Sequence, residues 1–195
     1  MASKANVRSA TIRLTATALF MALNIAFSSF GVPVPGGHLY LNDIVICLAS
    51  ILLNPLEAFM VGGVGAFLGD LIFYPLPMFV SLITHGLQAV IISVFSHYVL
   101  KRKPVLASGI GVSLGAVIMV IGYTIGRIFI YGKGGAVLAL VDGALTVNQE
   151  ALAQNSGIAV VKLPYQIAQA VVGAVFGMLL CHKFGLKKLF HKMLG

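Results

Sequence analysis

Charge is what this chain has least of. Only 9% of its 195 residues are Asp, Glu, Lys or Arg, against about 25% in a soluble domain. That is too little to cover a water-facing surface, which excludes a soluble enzyme, a nucleic-acid-binding domain and a disordered chain. Acidic residues are the scarcest, five against thirteen Lys+Arg, for a net charge of +8. There are two cysteines, Cys47 and Cys181, both in apolar segments. They supply no disulfide framework and no zinc site, and read as buried apolar thiols. Tryptophan is absent, which excludes ligand titration by its quenching. No P-loop is present. The nearest string, Gly126 to Lys133, has five residues between its glycines and Gly134 where Ser or Thr is needed, so the chain does not hydrolyse ATP by that route. HExxH, GxSxG and paired metal-ligand clusters are also missing. The chain is therefore not expected to be an enzyme, and no cofactor or metal is expected in it.

What remains is apolar: 59% hydrophobic residues and a mean hydropathy of +1.01. The reading is an all-α integral membrane protein forming a single six-helix domain over 1–195, with spans at about 12–31, 40–54, 56–74, 78–100, 105–131 and 158–181. The second is short. The break after it is Asn54-Pro55, and the next turn is Tyr74-Pro75-Leu76-Pro77, where proline disfavours helix. Lys4, Arg8 and Arg13 followed by an apolar run look like a signal peptide, but the run reaches about Phe30, long for one, so a retained first span is expected. Ten of the thirteen basic residues precede span one, follow span four or follow span six. The positive-inside rule makes that side, and both termini, cytoplasmic. Two outer loops are then candidate lids: Gly31 to His38, rich in proline and glycine, and the polar stretch 132–157 with Asp142, Asn148, Gln149, Glu150 and Asn155.

Polar residues inside spans are costly and are functional candidates by default. Here they share one leaflet. Asp43, Asp70, His85 with Gln88 one turn on, Arg127, and Lys162, Gln166 and Gln169 on one helix face all fall in the outer half, while the inner halves are nearly dry. This describes an outward pocket closed below, unlike a channel, which is polar along its depth. Each residue has a plainer role open to it. Asp70 and Arg127 could pair between spans, Lys162 could snorkel, His85 could be a satisfied core histidine, Asp43 could cap span two, and the glutamines could join helices. None of these explains the shared leaflet. Glycine pairs Gly65/Gly69, Gly111/Gly115, Gly122/Gly126 and Gly173/Gly177 suit packing within the chain. Ala18, Ala22 and Ala26 form a flat stripe on span one that suits either internal packing or an external helix.

The stretch from Gly37 to Ala89, with Gly-His followed by an Asp, a short span, an inner Pro turn, Gly-Asp-Leu at the end of span three and a Pro turn into span four, resembles the substrate-binding S component of an energy-coupling factor (ECF) vitamin transporter. The alanine stripe and the six-span layout extend the resemblance over nearly the whole chain. The resemblance implies a multi-pass protein of the bacterial plasma membrane that captures a small water-soluble vitamin from outside. Its alanine stripe at Ala18, Ala22 and Ala26 would dock on a transmembrane coupling T subunit. Two partner ATPase subunits would use ATP and Mg, and the S component would topple in the bilayer to deliver its cargo. Nucleic acid has no place among these partners. The candidate ligand set is His38, Asn42, Asp43, Asp70, His85, Gln88, Arg127, Lys162, Gln166 and Gln169. Within the family, the chain looks most like the branch associated with hydroxymethylpyrimidine or pyridoxine. Arg127 and Lys162 could instead clamp a carboxylate, which suits pantothenate, or be neutralised by Asp43 and Asp70. Two other classes compete: a stand-alone proton-coupled carrier relaying through Asp70 or His85, and a small membrane-embedded enzyme built on Asp43, Asp70 and His85.

Overall fold

The computed structural model describes residues 4–141 and 144–194; Asp142 lies outside the described residues. Five of the described helices are long and apolar enough to cross a membrane. They are α1 (Lys4–Ser28), α3 (Pro55–Phe73), α4 (Met78–Tyr98), α5 (Pro104–Phe129) and α6 (Gln149–Lys183). The expected second span is α2 (Asn42–Leu52), only 11 residues, or about 16 Å of helix. That is half of what a bilayer core of about 30 Å requires. Nine of its residues are buried, on every face, which marks a core helix rather than a lipid-facing one. A short helix, α7 (Leu186–Leu194), follows α6. Two small antiparallel hairpins complete the chain: β1 (Val32–Val34) with β2 (Gly37–Leu39), and β3 (Leu138–Val141) with β4 (Ala144–Val147). The protein is thus helical in architecture, and both presumed lid loops contain a hairpin.

The α2–α3 break forms as its sequence dictates. Asn54 Oδ1 accepts from the Glu57 backbone N–H at 2.9 Å, and Glu57 Oε2 accepts from the Asn54 N–H at 3.1 Å. This is a capping box with Pro55 in the first turn. Arg13 of α1 closes on the same Glu57 through two hydrogen bonds, 2.9 and 3.0 Å, tying α1 to α3.

One helical turn further, Met60–Val64 winds as a π-helix. Here α3 and α4 approach so closely that a Cβ on Gly62 would stand 2.7 Å from Ala89 Cβ and 2.8 Å from His85 O. A π-turn releases a backbone carbonyl, and Asn24 of α1 donates to the Val61 carbonyl at 2.7 Å.

The expected loop 132–157 is shorter than its composition suggests. Helix α6 starts at Gln149, capped by Asn148 Oδ1 accepting from Ala151 N–H at 3.1 Å. Asn155, read as a loop residue, lies inside the helix and holds the loop down. Its Oδ1 accepts from Gly134 N–H at 2.8 Å, and its Nδ2 donates to Ile128 O at 3.0 Å.

The core fills one end of the bundle. Cys47, Ile51, Leu53, Val61, Ile92, Val112 and Cys181 pack there with Phe190 of α7, so both thiols are buried. Hydroxyls at this end bond to the chain itself, Ser93 to Leu53 O at 2.6 Å and Ser96 to Ser108 at 3.1 Å. Lys187 of α7 donates to Ser96 O at 3.3 Å, and burial pushes its ammonium pKa down.

The glycine pairs pack internally: Gly65 and Gly69 face Asn24 and Ser28 of α1, Gly122 and Gly126 face Thr84 and Val80 of α4, and Gly173 and Gly177 face Asp43 and Cys47 of α2. Ala18, Ala22 and Ala26 do the opposite. All three are exposed, because α1 turns Thr17, Asn24 and Ser28 inward instead.

Candidate ligand-binding site

Opposite the apolar end, the helices enclose a cavity of about 770 Å³. The C-terminal ends of α3 and α5, the start of α4, the first turn of α2 and the middle of α6 all meet there, and the β1–β2 hairpin lies against them. The hairpin turns at Pro35-Gly36, with Gly36 at φ +80°, a region that suits glycine.

Eight of the ten sequence-predicted residues line this cavity: His38, Asn42, Asp70, His85, Arg127, Lys162, Gln166 and Gln169. Asp43 and Gln88 do not. They sit behind the wall, 1% exposed each, and form its support. Gln88 Nε2 donates to Asp43 Oδ1 at 2.9 Å, Gln169 Nε2 donates to Asp43 Oδ2 at 2.5 Å, and His85 Nδ1 lies 2.7 Å from Gln88 Oε1. Asp43 is therefore no helix cap, since the cap position of α2 is Leu41 and no side chain closes it.

The two cations do not pair with carboxylates. Arg127 Nη1 donates to Gly36 O at 2.9 Å, and its guanidinium lies 5.3 Å over the Tyr131 ring. Lys162 Nζ donates to His38 O at 2.5 Å. Among the described residues the ion pair within 4.0 Å is Arg13–Glu57, and His85 Nδ1 lies 3.9 Å from Asp43 Oδ1, so the Asp70–Arg127 pairing that was open from the sequence is not formed. Nor does Lys162 snorkel away from the protein; it is 3% exposed and turned to the hairpin. Both cations fasten the hairpin through charge-assisted bonds to its carbonyls.

Asp70 is held instead by Ser81, whose hydroxyl donates to Oδ2. Ser81 Oγ in turn lies 2.5 Å from Tyr123 OH. Gln166 Nε2 donates to Val120 O at 2.9 Å, so it bridges α6 to α5 while facing the cavity. Two polar atoms of the wall are buried without a partner among the described residues, Asn42 Oδ1 and Arg127 Nε. Such groups cost about 1–3 kcal/mol each unless something bonds them.

The residues that sequence reasoning missed are tyrosines. Tyr40 and Tyr74 cluster with the predicted His38, with centroids 5.0 to 6.2 Å apart. Tyr123 stands 5.1 Å from His85, and Tyr131 closes the Arg127 side. Their one sequence signal is that Tyr40, Tyr74 and Tyr131 stand where helices meet loops. Burial raises the Tyr40 phenol above its ordinary pKa, and Tyr131 is pushed up to about 12. Both are neutral at pH 7, a planar surface with a hydroxyl tip.

A helical membrane protein with a polar, aromatic-lined cavity at one end and a dry core at the other is built as a binding protein rather than a pore. The sequence profile of the family described as the ECF-type riboflavin transporter, S component, matches residues 8–186, and the chain belongs to this family of transporter substrate-binding subunits. It is also similar to an uncharacterized protein in the gap 3′ region of Pyrococcus woesei. The two are 38% identical over 108 residues, which is 54% of this chain and 71% of that one.

Proposed function

We propose that this chain is the substrate-capture subunit of an ATP-driven importer, taking a small planar nitrogen-heterocyclic vitamin from outside the cell into the cavity beneath the β1–β2 hairpin. The single observation that carries this reading is the cavity. At about 770 Å³ it lies in the range that encloses a drug-sized ligand, and its wall combines an aromatic cluster with charged and amide side chains.

Riboflavin leads the candidates. The matched family is named for it, and a three-ring flavin uses such a volume more fully than a single ring does. Hydroxymethylpyrimidine and pyridoxine follow on the resemblance of the Gly37–Ala89 stretch. Pantothenate ranks below them, because the cations that would clamp its carboxylate already hold the hairpin.

In this reading the apolar end faces the cytoplasm and the cavity faces outward, which the basic residues following α4 and α6 support by the positive-inside rule. His38, Asn42, Asp70, His85, Arg127, Lys162, Gln166 and Gln169 form the ligand shell in this reading, with Asp43 and Gln88 behind it. The exposed alanine stripe of α1 receives the coupling T subunit, and two ATPase subunits bound to that subunit supply energy in the plasma membrane.

The test is calorimetric titration of the purified full chain in detergent, without partners or ATP, against riboflavin, hydroxymethylpyrimidine, pyridoxine and pantothenate. Tight one-to-one binding of one compound is the expected outcome. Failure of all four to bind a demonstrably folded sample overturns the capture reading, and uptake by vesicles containing this chain alone replaces it with a stand-alone carrier.

A further inference from the structure

The two sides of the cavity differ in hydrogen-bonding sense. On the side of Arg127, Lys162 and the exposed Lys133, the charged groups can only donate. On the side of Asp70 and His85, the free capacity is for accepting. Asp70 Oδ2 takes the Ser81 hydroxyl, while its Oδ1 has no donor among the described residues.

The protonation of His85 follows from a chain of bonds that begins in the hairpin segment. The Tyr40 backbone N–H can only donate, so the atom 3.0 Å from it must be Gln169 Oε1. Gln169 then turns its Nε2 to Asp43 Oδ2. Gln88 likewise gives its Nε2 to Asp43 Oδ1, which leaves Gln88 Oε1 facing His85 Nδ1 at 2.7 Å. An amide oxygen cannot donate, so Nδ1 carries the proton, and a neutral ring has a bare Nε2. Gln88 lies behind the wall and His85 lines it, so the bare nitrogen is the one turned to the cavity.

We propose that the cavity admits its ligand in one orientation. A hydrogen-bond donor edge, whether ring N–H, amino or hydroxyl, meets Asp70 and His85, and a carbonyl- or hydroxyl-rich end meets Arg127. Gln88 and Asp43 are positioning residues that act through His85 by fixing its tautomer. The orientation rests on the capture reading; the tautomer does not.

The first arm of the test needs no ligand. Full chain labelled with ¹⁵N-histidine is examined at pH 7 by long-range ¹H–¹⁵N correlation, with His85 assigned by its loss in His85→Asn. A protonated Nδ1 with a bare Nε2 is expected, and Gln88→Ala should convert this to a mixture of tautomers. A proton on Nε2 in the unmutated chain, alone or on both nitrogens, overturns the proposal. So does a Gln88→Ala signal identical to the parent's.

The second arm titrates the panel compound that binds against its methylated counterpart, riboflavin against 3-methylriboflavin in the leading case. At least a tenfold loss of affinity is expected, and equal affinity overturns the donor-edge orientation. Absence of binding by every compound, with the tautomer as expected, overturns the capture reading and the orientation with it.

Discussion

Lys162 shows how a single residue changes meaning once its surroundings are known. By position it is a cation buried in a span, available to a carboxylate, a headgroup or a ligand. Its ammonium instead reaches the His38 carbonyl, and Arg127 does the same at Gly36. Bonds of this charge-assisted type contribute about 1.5–3 kcal/mol. Lys162→Met should therefore loosen the β1–β2 hairpin and weaken ligand binding by about tenfold or more, at 1.4 kcal/mol per decade. Calorimetry reads the affinity, and hydrogen exchange over residues 37–40 reads the hairpin. Unchanged affinity and exchange would show that Arg127 and the aromatic contacts hold the hairpin without Lys162. The ion-pair alternative for Asp70 and Arg127 was reasonable from spacing, because both stand near span ends. It was settled by Ser81, which reaches Asp70 first.

At the scale of elements, α3 and α6 depart furthest from what local sequence suggests. Two adjacent glycines in α3 look like helix weakeners. They are where α3 meets α4, and the π-turn there leaves the Val61 carbonyl to Asn24. Asn24→Leu strands that buried carbonyl and should cost about 1–3 kcal/mol of stability. A lower thermal midpoint in detergent would be the sign, with the helix content of the folded state unchanged. A midpoint equal to the parent's would mean that water reaches Val61 O. Helix α6 starts at Gln149, nine residues before the span expected at about 158, although Asn148, Gln149, Glu150 and Asn155 have loop composition. Asn148 is a helix cap and Asn155 bonds a loop from inside the helix, and such roles are invisible until the partner is in place. The Asn54-Pro55 break and the Pro75–Pro77 turn were legible, since proline acts on its own backbone whatever surrounds it.

At the scale of the whole molecule, the unused surface of α1 carries the argument for a partner. Its alanines face outward although small residues were available to pack inside, and a flat stripe of this kind admits a close helix–helix approach. Ala22→Leu should abolish transport by the reconstituted complex while leaving vitamin binding by the free chain within about twofold of the parent, the scatter expected of a surface change of 0.5 kcal/mol or less. Transport at the parental rate would remove the stripe from the interface. Equal loss of binding and transport would mean that α1 supports the cavity rather than a partner.

The class of this protein and its asymmetry are legible in composition and patterning alone. Low charge and high hydropathy demand a bilayer, and buried polar residues crowd toward one end because an unpaired polar group is too costly to scatter. The sequence also placed six of the cavity's residues, Asp70, His85, Arg127, Lys162, Gln166 and Gln169, since charged and polar groups in an apolar span have few other reasons to be there, and the family resemblance added His38 and Asn42. Tertiary structure alone decided which of them face the cavity and which stand behind it. Asp43 and Asp70 look alike in sequence, each near a helix end in an apolar setting. One is enclosed by Gln88 and Gln169, the other is open on one oxygen. Hydrogen-bond partners drawn from residues as much as 126 positions apart make that difference, and no local pattern encodes them.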